Sequence, residues 1–266
     1  MGLFTGQVAW VTGAGRGIGR ATALLLAEQG AKVALVSRTQ RELDAVQAEV
    51  RARGGKAITS LLDVSNWDMV EWMARQIEAA LGPINMLINN AGLLHPLGKL
   101  WETEPEQAGQ LFDANLSGAY YGMRAVLPGM VQRGRGVIVN VSSGAATSVA
   151  PGWAVYAASK AGLDHLTRNT ALDLADTTVR VYALHPGLVE TQMQQTLRTA
   201  STNRLPAERR QFFVDQQAAG KVQDPIAPAR TIAWLCSTQC DLDSGAVVSL
   251  RTQPELQEKI DRVLGS

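Results

Sequence analysis

Seven short apolar segments recur along the chain, separated by longer stretches in which apolar residues return with helical spacing. The short segments are continuously apolar rather than alternating, which is typical of strands covered on both faces. Strands that alternate with helices predict right-handed crossovers, and hence a doubly wound parallel sheet of seven strands with helices on both faces, a Rossmann fold of the α/β class. The predicted strands are 8–12, 32–36, 57–62, 86–89, 137–141, 179–184 and 246–250, and the predicted helices are 18–29, 40–53, 67–80, 106–132, 153–175 and 225–236.

The composition indicates a single compact domain over residues 1–266. A chain of this length with 46% hydrophobic residues buries a substantial core, and α/β proteins of this size often form one domain. The formal net charge is +1 and the charges are dispersed, which argues against nucleic acid or a membrane as partner and favours a small molecule. No apolar run is long enough to span a membrane and no secretory signal is visible, so we expect a cytoplasmic protein. Cys236 and Cys240 are expected to be reduced, and they are too few for a metal site.

Two segments stand apart from the strand and helix pattern. Residues 192–224 are the least regular, and their scattered apolar residues favour a substrate lid over a disordered loop. At the end of the chain, residues 252–266 are predicted to form a helix that opens with a capping box of Thr252 and Glu255. Its apolar stripe covers either its own domain or a neighbouring subunit.

A glycine-rich segment, Thr12-Gly13-Ala14-Gly15-Arg16-Gly17-Ile18-Gly19, closes the first predicted strand and opens the first predicted helix. Glycines at 13, 17 and 19 allow a tight turn and a close approach of the backbone to a pyrophosphate at the helix N-terminus. A glycine-rich turn without a ligand is the alternative, but the strand before it and the helix after it favour nucleotide binding.

Tyr156 and Lys160 are separated by four residues on a predicted helix and therefore share one face. An ammonium beside a phenol lowers the tyrosine pKa, which is otherwise about 10, and makes the tyrosine usable as an acid or base. Taken alone this spacing is weak evidence, because most such pairs are ordinary helix surface.

Several motifs together resemble the short-chain dehydrogenase/reductase family, in its short single-domain branch of the 3-oxoacyl reductase and carbonyl reductase kind. They are the glycine spacing above, Asn89-Asn90-Ala91-Gly92, Ser143, Tyr156 with Lys160, and Pro186-Gly187. The resemblance runs from about residue 5 to residue 191. It implies a nicotinamide dinucleotide cofactor, hydride transfer, and pairing of subunits into a homo-oligomer, either a dimer or a tetramer.

The resemblance also implies catalytic roles for four residues. Tyr156 is the general acid, Ser143 polarises the substrate oxygen, Lys160 tunes Tyr156 and reaches the nicotinamide ribose, and Asn115 holds a water in the proton relay to Lys160. Ser142 is the alternative serine, but Ser143 has the family spacing to Tyr156. For Asn115, the alternative is a polar residue on a helix exterior.

Further residues are implied to hold the cofactor. Asp63 and Val64 contact the adenine, Asn90, Ala91 and Gly92 flank the cofactor, and Pro186, Gly187 and Thr191 hold the nicotinamide half. Two structural alternatives remain open: Asn89 and Asn90 could cap a strand end, and Asp63 could cap the following helix.

The end of the second strand predicts which nicotinamide cofactor binds. An NAD enzyme places a carboxylate there for the ribose hydroxyls, whereas a 2′-phosphate needs cations and no nearby carboxylate. Ser37 occupies the acidic position, Arg38 follows it, and Arg16 of the glycine loop is a second cation on the same side. We therefore expect NADP(H).

The expected substrate pocket is largely apolar and suits a ketone, an aldehyde or a 3-oxoacyl group. Its expected lining is Leu93, Leu94, Trp153, Leu188 and Met193; His95 and His185 have no partner visible in the sequence and receive no role. The leading hypothesis is an NADPH-dependent oxidoreductase. The alternatives are a catalytically silent NADP(H)-sensing regulator, which could dispense with the catalytic residues, and an extended-branch epimerase or dehydratase, which would need a longer chain.

Overall fold

A computed structural model describes residues 2–199, 205–253 and 255–265 of the chain. The expected lid includes residues 200–204, and the expected C-terminal segment includes residues 254 and 266, all of which lie outside the described residues. None of the described helices is both long enough and apolar enough to cross a membrane.

One parallel sheet of seven strands forms the centre of the molecule and confirms the predicted fold class. The strand order is β3-β2-β1-β4-β5-β6-β7, so the chain reverses direction across the sheet between β1 and β4. In open sheets of this kind, ligands bind beyond the carboxyl ends of the strands at this reversal. The strands are β1 Val8–Thr12, β2 Lys32–Ser37, β3 Lys56–Leu61, β4 Ile84–Asn89, β5 Val137–Val141, β6 Arg180–His185 and β7 Val247–Ser249.

Helices cover both faces of the sheet, as continuously apolar strands require. On one face α1, α2, α9 and α10 share a buried cluster with the strands, and on the other α3, α5 and α6 do so. The helices are α1 Gly17–Glu28, α2 Gln40–Ala52, α3 Trp67–Leu81, α4 Pro105–Phe112, α5 Gly118–Arg133, α6 Ala154–Asp173, α7 Gln192–Thr199, α8 Ala207–Ala218, α9 Ile226–Cys236 and α10 Leu256–Leu264.

The helix predicted over 106–132 is interrupted by a π-helical turn at Asp113–Ser117, between α4 and α5. Asn115 sits in this turn, where its buried side chain bonds to the backbone of Leu93 rather than facing outward. Such single π turns are frequent at functional sites. The exterior alternative for Asn115 is therefore wrong.

The segment that the sequence predicts to be irregular contains two helices, α7 and α8. Leu197, Leu205 and Phe213 are buried in one cluster with Trp153, and this burial gives α7 and α8 an apolar face on which to pack. Its two ends are tied together, because Glu190 N donates to Gln223 O and Gln223 N donates to Leu188 O. The expectation of an irregular segment is wrong because apolar contacts made only in the folded chain supply the helical face.

The C-terminal helix begins at Leu256, and the expected capping box is absent. Glu255 occupies the N-cap position and makes no side-chain capping bond to any described residue. The turn before it is fixed instead by Gln253, whose side-chain oxygen accepts from Ser249 N at 2.8 Å. Leu256 and Ile260 are buried in the cluster beneath α9, so the helix covers its own domain.

Candidate active site

A cavity of about 1160 Å³ lies beyond the carboxyl ends of the central strands. Pockets for small ligands typically measure roughly 300–1,000 Å³, so this cavity has room for more than one small ligand. The glycine loop lines one end, and the aromatic and apolar residues of α6, α7 and α8 line the other.

The glycine loop has the geometry of a phosphate cradle. A Cβ on Gly19 would lie 2.3 Å from the carbonyl oxygen of Gly13, and Gly13 itself has φ +62, so neither position accepts a side chain without a shift. Arg16, at the N-cap of α1, makes no side-chain capping bond to any described residue. The first amides of α1, from Gly17 and Ile18, therefore remain for an anion.

Asn90 ties β4 to this loop. Its side-chain amide donates to Thr12 O at 2.9 Å and to Gly13 O at 3.1 Å, and the hydroxyl of Thr12 accepts from the backbone amides of Asn90 and Ala91. These bonds support the strand-end reading of Asn90. The residue lines the cavity as well, so the structural role and the expected contact with a cofactor are compatible.

Asp63 and Val64 follow β3 and line the cavity near the loop after β2. Burial acts to raise the pKa of Asp63, but hydrogen bonds from the hydroxyl and amide of Ser65, together with the charge of Arg38, hold that pKa below its ordinary value. The cap of α3 is Asn66, which accepts from Met69 N at 3.0 Å. The alternative in which Asp63 caps the helix is therefore wrong.

A carboxylate lies where the sequence predicted only cations. Arg16 Nη1 is 3.2 Å from Glu42 Oε1. Glu42 and the Ser37 hydroxyl both lie close to Gly15, since a Cβ added there would be within 3.4 Å of each. Arg38 and Glu42 both line this end of the cavity. Sequence reasoning missed Glu42 because it belongs to α2, and only the packing of α2 beside the glycine loop brings it there.

Tyr156 is buried at the substrate end of the cavity, near Ser143. Burial raises the pKa of the Tyr156 hydroxyl, while the neighbouring Ser143 hydroxyl acts in the opposite direction. This direction reverses the expectation that the tyrosine pKa is lowered, because burial from the protein's own packing outweighs the hydrogen bond. The Ser142 hydroxyl is engaged with the backbone instead, since it donates to the carbonyl of Lys160 at 3.3 Å.

Lys160 is a buried cation in the wall of the cavity. Burial lowers its pKa to about 8, while the charge of Asp164 acts to raise it. Its ammonium donates to Val141 O at 2.9 Å and lies 5.9 Å from the centre of the Tyr156 ring. The remaining ammonium hydrogens make no bond to any described residue, which suits a ligand hydroxyl.

Asp164 is a site residue that the sequence reading missed. Its Oδ2 is 2.8 Å from His185 Nε2, which gives this histidine the partner that the sequence did not reveal. Its other oxygen, Oδ1, is buried and accepts no hydrogen bond from the part of the chain that the structure describes. The sequence contains a partial indication of this role, because Asp164 follows Lys160 by one helical turn on the same face.

The π turn brings Asn115 close to Lys160. The Asn115 side chain accepts from Leu93 N at 2.6 Å and donates to Leu93 O at 2.9 Å and to the Ser159 hydroxyl at 3.1 Å. A Cβ on Gly92 would lie 3.1 Å from Asn115 Oδ1 and 3.7 Å from Lys160 Nζ, so the absence of a side chain at Gly92 keeps the space between them open.

The remaining predicted cofactor residues lie in the loop after β6. Pro186, Gly187 and Thr191 all line the cavity. The Thr191 methyl group comes within 3.1 Å of where a Cβ on Gly17 would stand, so this loop meets the glycine loop across the cavity. The end opposite the glycine loop is lined by the residues expected for a substrate pocket, Leu93, Leu94, Trp153, Leu188 and Met193, and also by Arg209 of α8, which sequence reasoning did not identify.

Comparison with known proteins identifies the class to which this fold and site belong. The family model for short chain dehydrogenases matches residues 7–202. A short chain dehydrogenase of Pseudocercospora fijiensis is 35% identical over 92% of this chain and 80% of its own length. The 3-oxoacyl-(acyl-carrier-protein) reductase of Thermotoga maritima is 32% identical over 92% of this chain and 96% of its own length.

Solved structures agree. A xylitol dehydrogenase with bound NAD+ superposes with a TM-score of 0.86 at 28% identity, covering 93% of this chain and 98% of its own. An actinorhodin polyketide ketoreductase with NADPH gives a TM-score of 0.85 at 29% identity, covering 92% of this chain and 95% of its own. The chain therefore belongs to the short chain dehydrogenase family, and is a nicotinamide-dependent oxidoreductase of carbonyl or alcohol groups.

Proposed function

We propose that this protein is an NADP(H)-dependent carbonyl reductase that acts on a ketone, an aldehyde or a 3-oxoacyl group through Tyr156. The observation that carries the proposal is the meeting of Tyr156, Ser143 and Lys160 in one cavity with the glycine loop. A bound nicotinamide supplies or accepts the hydride. The residues of the chain supply the proton and the hydrogen bonds to the substrate oxygen.

In the reducing direction negative charge develops on the substrate oxygen, and Tyr156 donates a proton to it. Ser143 donates a second hydrogen bond to the same oxygen. Burial, which raises the pKa of Tyr156, keeps the phenol protonated at neutral pH, so that its proton is present for the substrate oxygen. Behind Tyr156 and Ser143 lie polar groups of Lys160, Asn115 and the Leu93 backbone. We propose that Tyr156 regains its proton along these groups.

The choice of NADP(H) rests on Ser37, Arg38 and Arg16, and Glu42 opposes it in part. The relatives do not decide, since one solved structure contains NAD+ and another NADPH. Two considerations favour the phosphorylated cofactor: the carboxylate is absent from the end of β2 itself, and Arg38 follows directly. Glu42 is paired with Arg16, so its charge is partly neutralised.

We also propose that α7 and α8 form the substrate lid and that the protein is a homo-oligomer. Support for the lid is that both helices contribute to the cavity wall, through Met193, Leu197 and Phe213 among others. Support for oligomerisation is the family resemblance alone.

The test is the turnover of NADPH with a panel of ketones, aldehydes and acyl thioesters by the parent protein and by Tyr156→Phe. Loss of the hydroxyl removes the proton donor, so we expect turnover to fall about 100-fold or more while the Kd for NADPH stays within about twofold. Tyr120→Phe, at an exposed tyrosine, is the matched control and should retain full activity.

Two results would contradict the proposal. Turnover retained in Tyr156→Phe would remove Tyr156 from the mechanism. Silence of the parent protein across the whole panel, despite tight binding of NADPH, would favour the regulator.

A further inference from the structure

Arg209 of α8 lies against an aromatic cluster in the wall of the substrate end of the cavity. Its Nε is buried and has no hydrogen-bond partner among the described residues. No carboxylate of the described residues forms an ion pair with it. Its guanidinium carbon is 5.7 Å from the ring centre of Trp153, 4.9 Å from that of Phe212 and 5.2 Å from that of Phe213.

The same aromatic cluster connects Arg209 to the proposed catalytic tyrosine. Trp153 packs edge-on against Tyr156 with ring centres 5.5 Å apart. Together with the distance from Arg209 to Trp153, this places the guanidinium within about 11 Å of the Tyr156 ring. This distance is short enough for a small molecule to reach both groups at once.

The charges around this end of the cavity are unbalanced. Arg251, after β7, also lines the cavity; burial lowers the pKa of Arg209, and the charge of Arg251 acts in the same direction. Only two carboxylates line the cavity among the described residues, Glu42 and Asp63, and both are at the glycine-loop end. Two guanidinium groups without a carboxylate between them form a site that an anion would stabilise, because a partly buried charge is unfavourable without a partner.

Cation–π attraction to the three rings stabilises the Arg209 cation, but it engages the face of the guanidinium and leaves the in-plane N–H donors unused. Stacked guanidinium groups keep their in-plane N–H donors free, and those donors match the two oxygens of a carboxylate or phosphate.

We propose that Arg209, assisted by Arg251, binds an anionic group, a carboxylate or a phosphate, on a substrate whose carbonyl lies at Tyr156. The substrate class is thus a carbonyl compound with a negative charge roughly one aromatic ring away from the reacting carbon. This inference rests on the proposed function and makes its substrate more specific.

The test uses three aryl ketones that share one acetophenone core: 4-acetylbenzoate, 4-acetylphenyl phosphate and the neutral 4-acetylbenzamide. In the parent protein we expect kcat/KM for at least one of the two anionic ketones to exceed that for the amide by about tenfold or more. Whichever anionic ketone is preferred identifies the anionic group. In Arg209→Met the preference should fall to about one.

Arg210→Met is the matched control, since Arg210 neighbours Arg209 on α8 but does not line the cavity, and it should keep the preference. Arg251→Met, at an exposed residue, should reduce the preference without loss of folding. Equal kcat/KM for the three ketones in the parent protein, or an unchanged preference in Arg209→Met, would overturn the proposal.

A binding measurement separates this inference from the proposed function. If the parent protein turns over neither these ketones nor any member of the wider panel, the proposed function fails alone, and the anion site is judged by equilibrium binding of 4-acetylbenzoate, followed by tryptophan fluorescence. Binding weakened about tenfold in Arg209→Met but not in Arg210→Met supports the site. Equal binding by both variants would overturn it. A higher Kd for NADPH in Arg209→Met than in the parent protein would assign Arg209 to the cofactor, and this result would also overturn the anion site.

Discussion

At the scale of single residues, the sequence decides least about the glycine-loop end of the cavity, where the choice between NAD(H) and NADP(H) is expected to be made. Ser37 and Arg38 follow the pattern for a 2′-phosphate, and Glu42 contributes a carboxylate that engages Arg16. Arg16 is well exposed, with 62% of its side chain accessible, so its ion pair with Glu42 is a weak surface contact. A phosphate competes for Arg16 readily, and Arg38 forms no ion pair with any described carboxylate, although its charge acts on Asp63.

The cofactor preference can be reversed at two positions. Ser37→Asp combined with Arg38→Leu restores a carboxylate for the ribose hydroxyls and removes a phosphate donor. We expect the ratio of NADPH to NADH efficiency to shift toward NADH by at least about tenfold, measured as kcat/KM for each cofactor.

Glu42→Gln is the companion variant, and it should shift the same ratio toward NADPH, because it frees Arg16 without adding a charge. If the double substitution leaves the ratio unchanged, this end of the cavity does not select the cofactor.

At the scale of elements, α6 organises the proposed chemistry. Tyr156, Lys160 and Asp164 repeat at intervals of four residues and are all buried on one face of the helix. Asp164 bonds to His185 at the end of β6, which joins this face of the helix to the sheet. One helix face thus carries the acid, the cation and the carboxylate that acts on the cation.

The pKa of Lys160 predicts a pH dependence. Lys160 is charged below about pH 8 and neutral above it, so activity that needs the ammonium should fall as pH rises through about 8. Asp164→Asn removes a charge that raises this pKa. The fall in kcat/KM should therefore move to lower pH, while the bond to His185 remains possible.

Asp173→Asn, at an exposed aspartate near the end of α6, serves as the control and should leave the pH profile unchanged. An Asp164→Asn profile that overlays the parent profile would show that Asp164 does not tune Lys160.

At the scale of the whole molecule, the C-terminal helix closes the core on the α9 side. Ile260 is 1% exposed and belongs to the cluster that includes Trp234 and Leu235 of α9. Arg230 of α9 also pairs with Asp261 of α10 at 2.9 Å. The helix is part of the folded domain, and its burial does not depend on a second subunit.

Ile260→Ala should lower the free energy of unfolding by about 3 kcal/mol, since it deletes buried methyl groups and leaves a cavity. Urea denaturation followed by tryptophan fluorescence measures the change. Glu258→Ala, at an exposed position of the same helix, should change stability by no more than about 0.5 kcal/mol. Equal stability of the two variants would mean that α10 is not packed on the core in solution.

Much of the architecture follows from the sequence, for local reasons. Continuous apolar runs mark buried parallel strands, and the helical periods between them mark the crossovers, so the seven strands and their parallel arrangement are predictable. The motifs for the glycine loop and for Tyr156 with Lys160 are predictable because their residues are close together in the chain.

The predictions that proved wrong concern segments that are distant in the chain and come into contact only in the folded protein. The helices α7 and α8 owe their order to apolar contacts with Trp153, and the π turn at Asn115 is accompanied by bonds to Leu93. The direction of the Tyr156 pKa depends on burial, which a spacing rule does not include.

The sequence by itself therefore determined the fold class, the family resemblance and the location of the proposed chemistry, because periodicity and short motifs are local properties of the chain. Only the tertiary structure decided which charges face one another. It brought Glu42 to Arg16, Asp164 to His185, and Arg209 to the aromatic wall beside Tyr156. The physical reason is that charge and burial act through space, and the packing of helices on the sheet sets those distances.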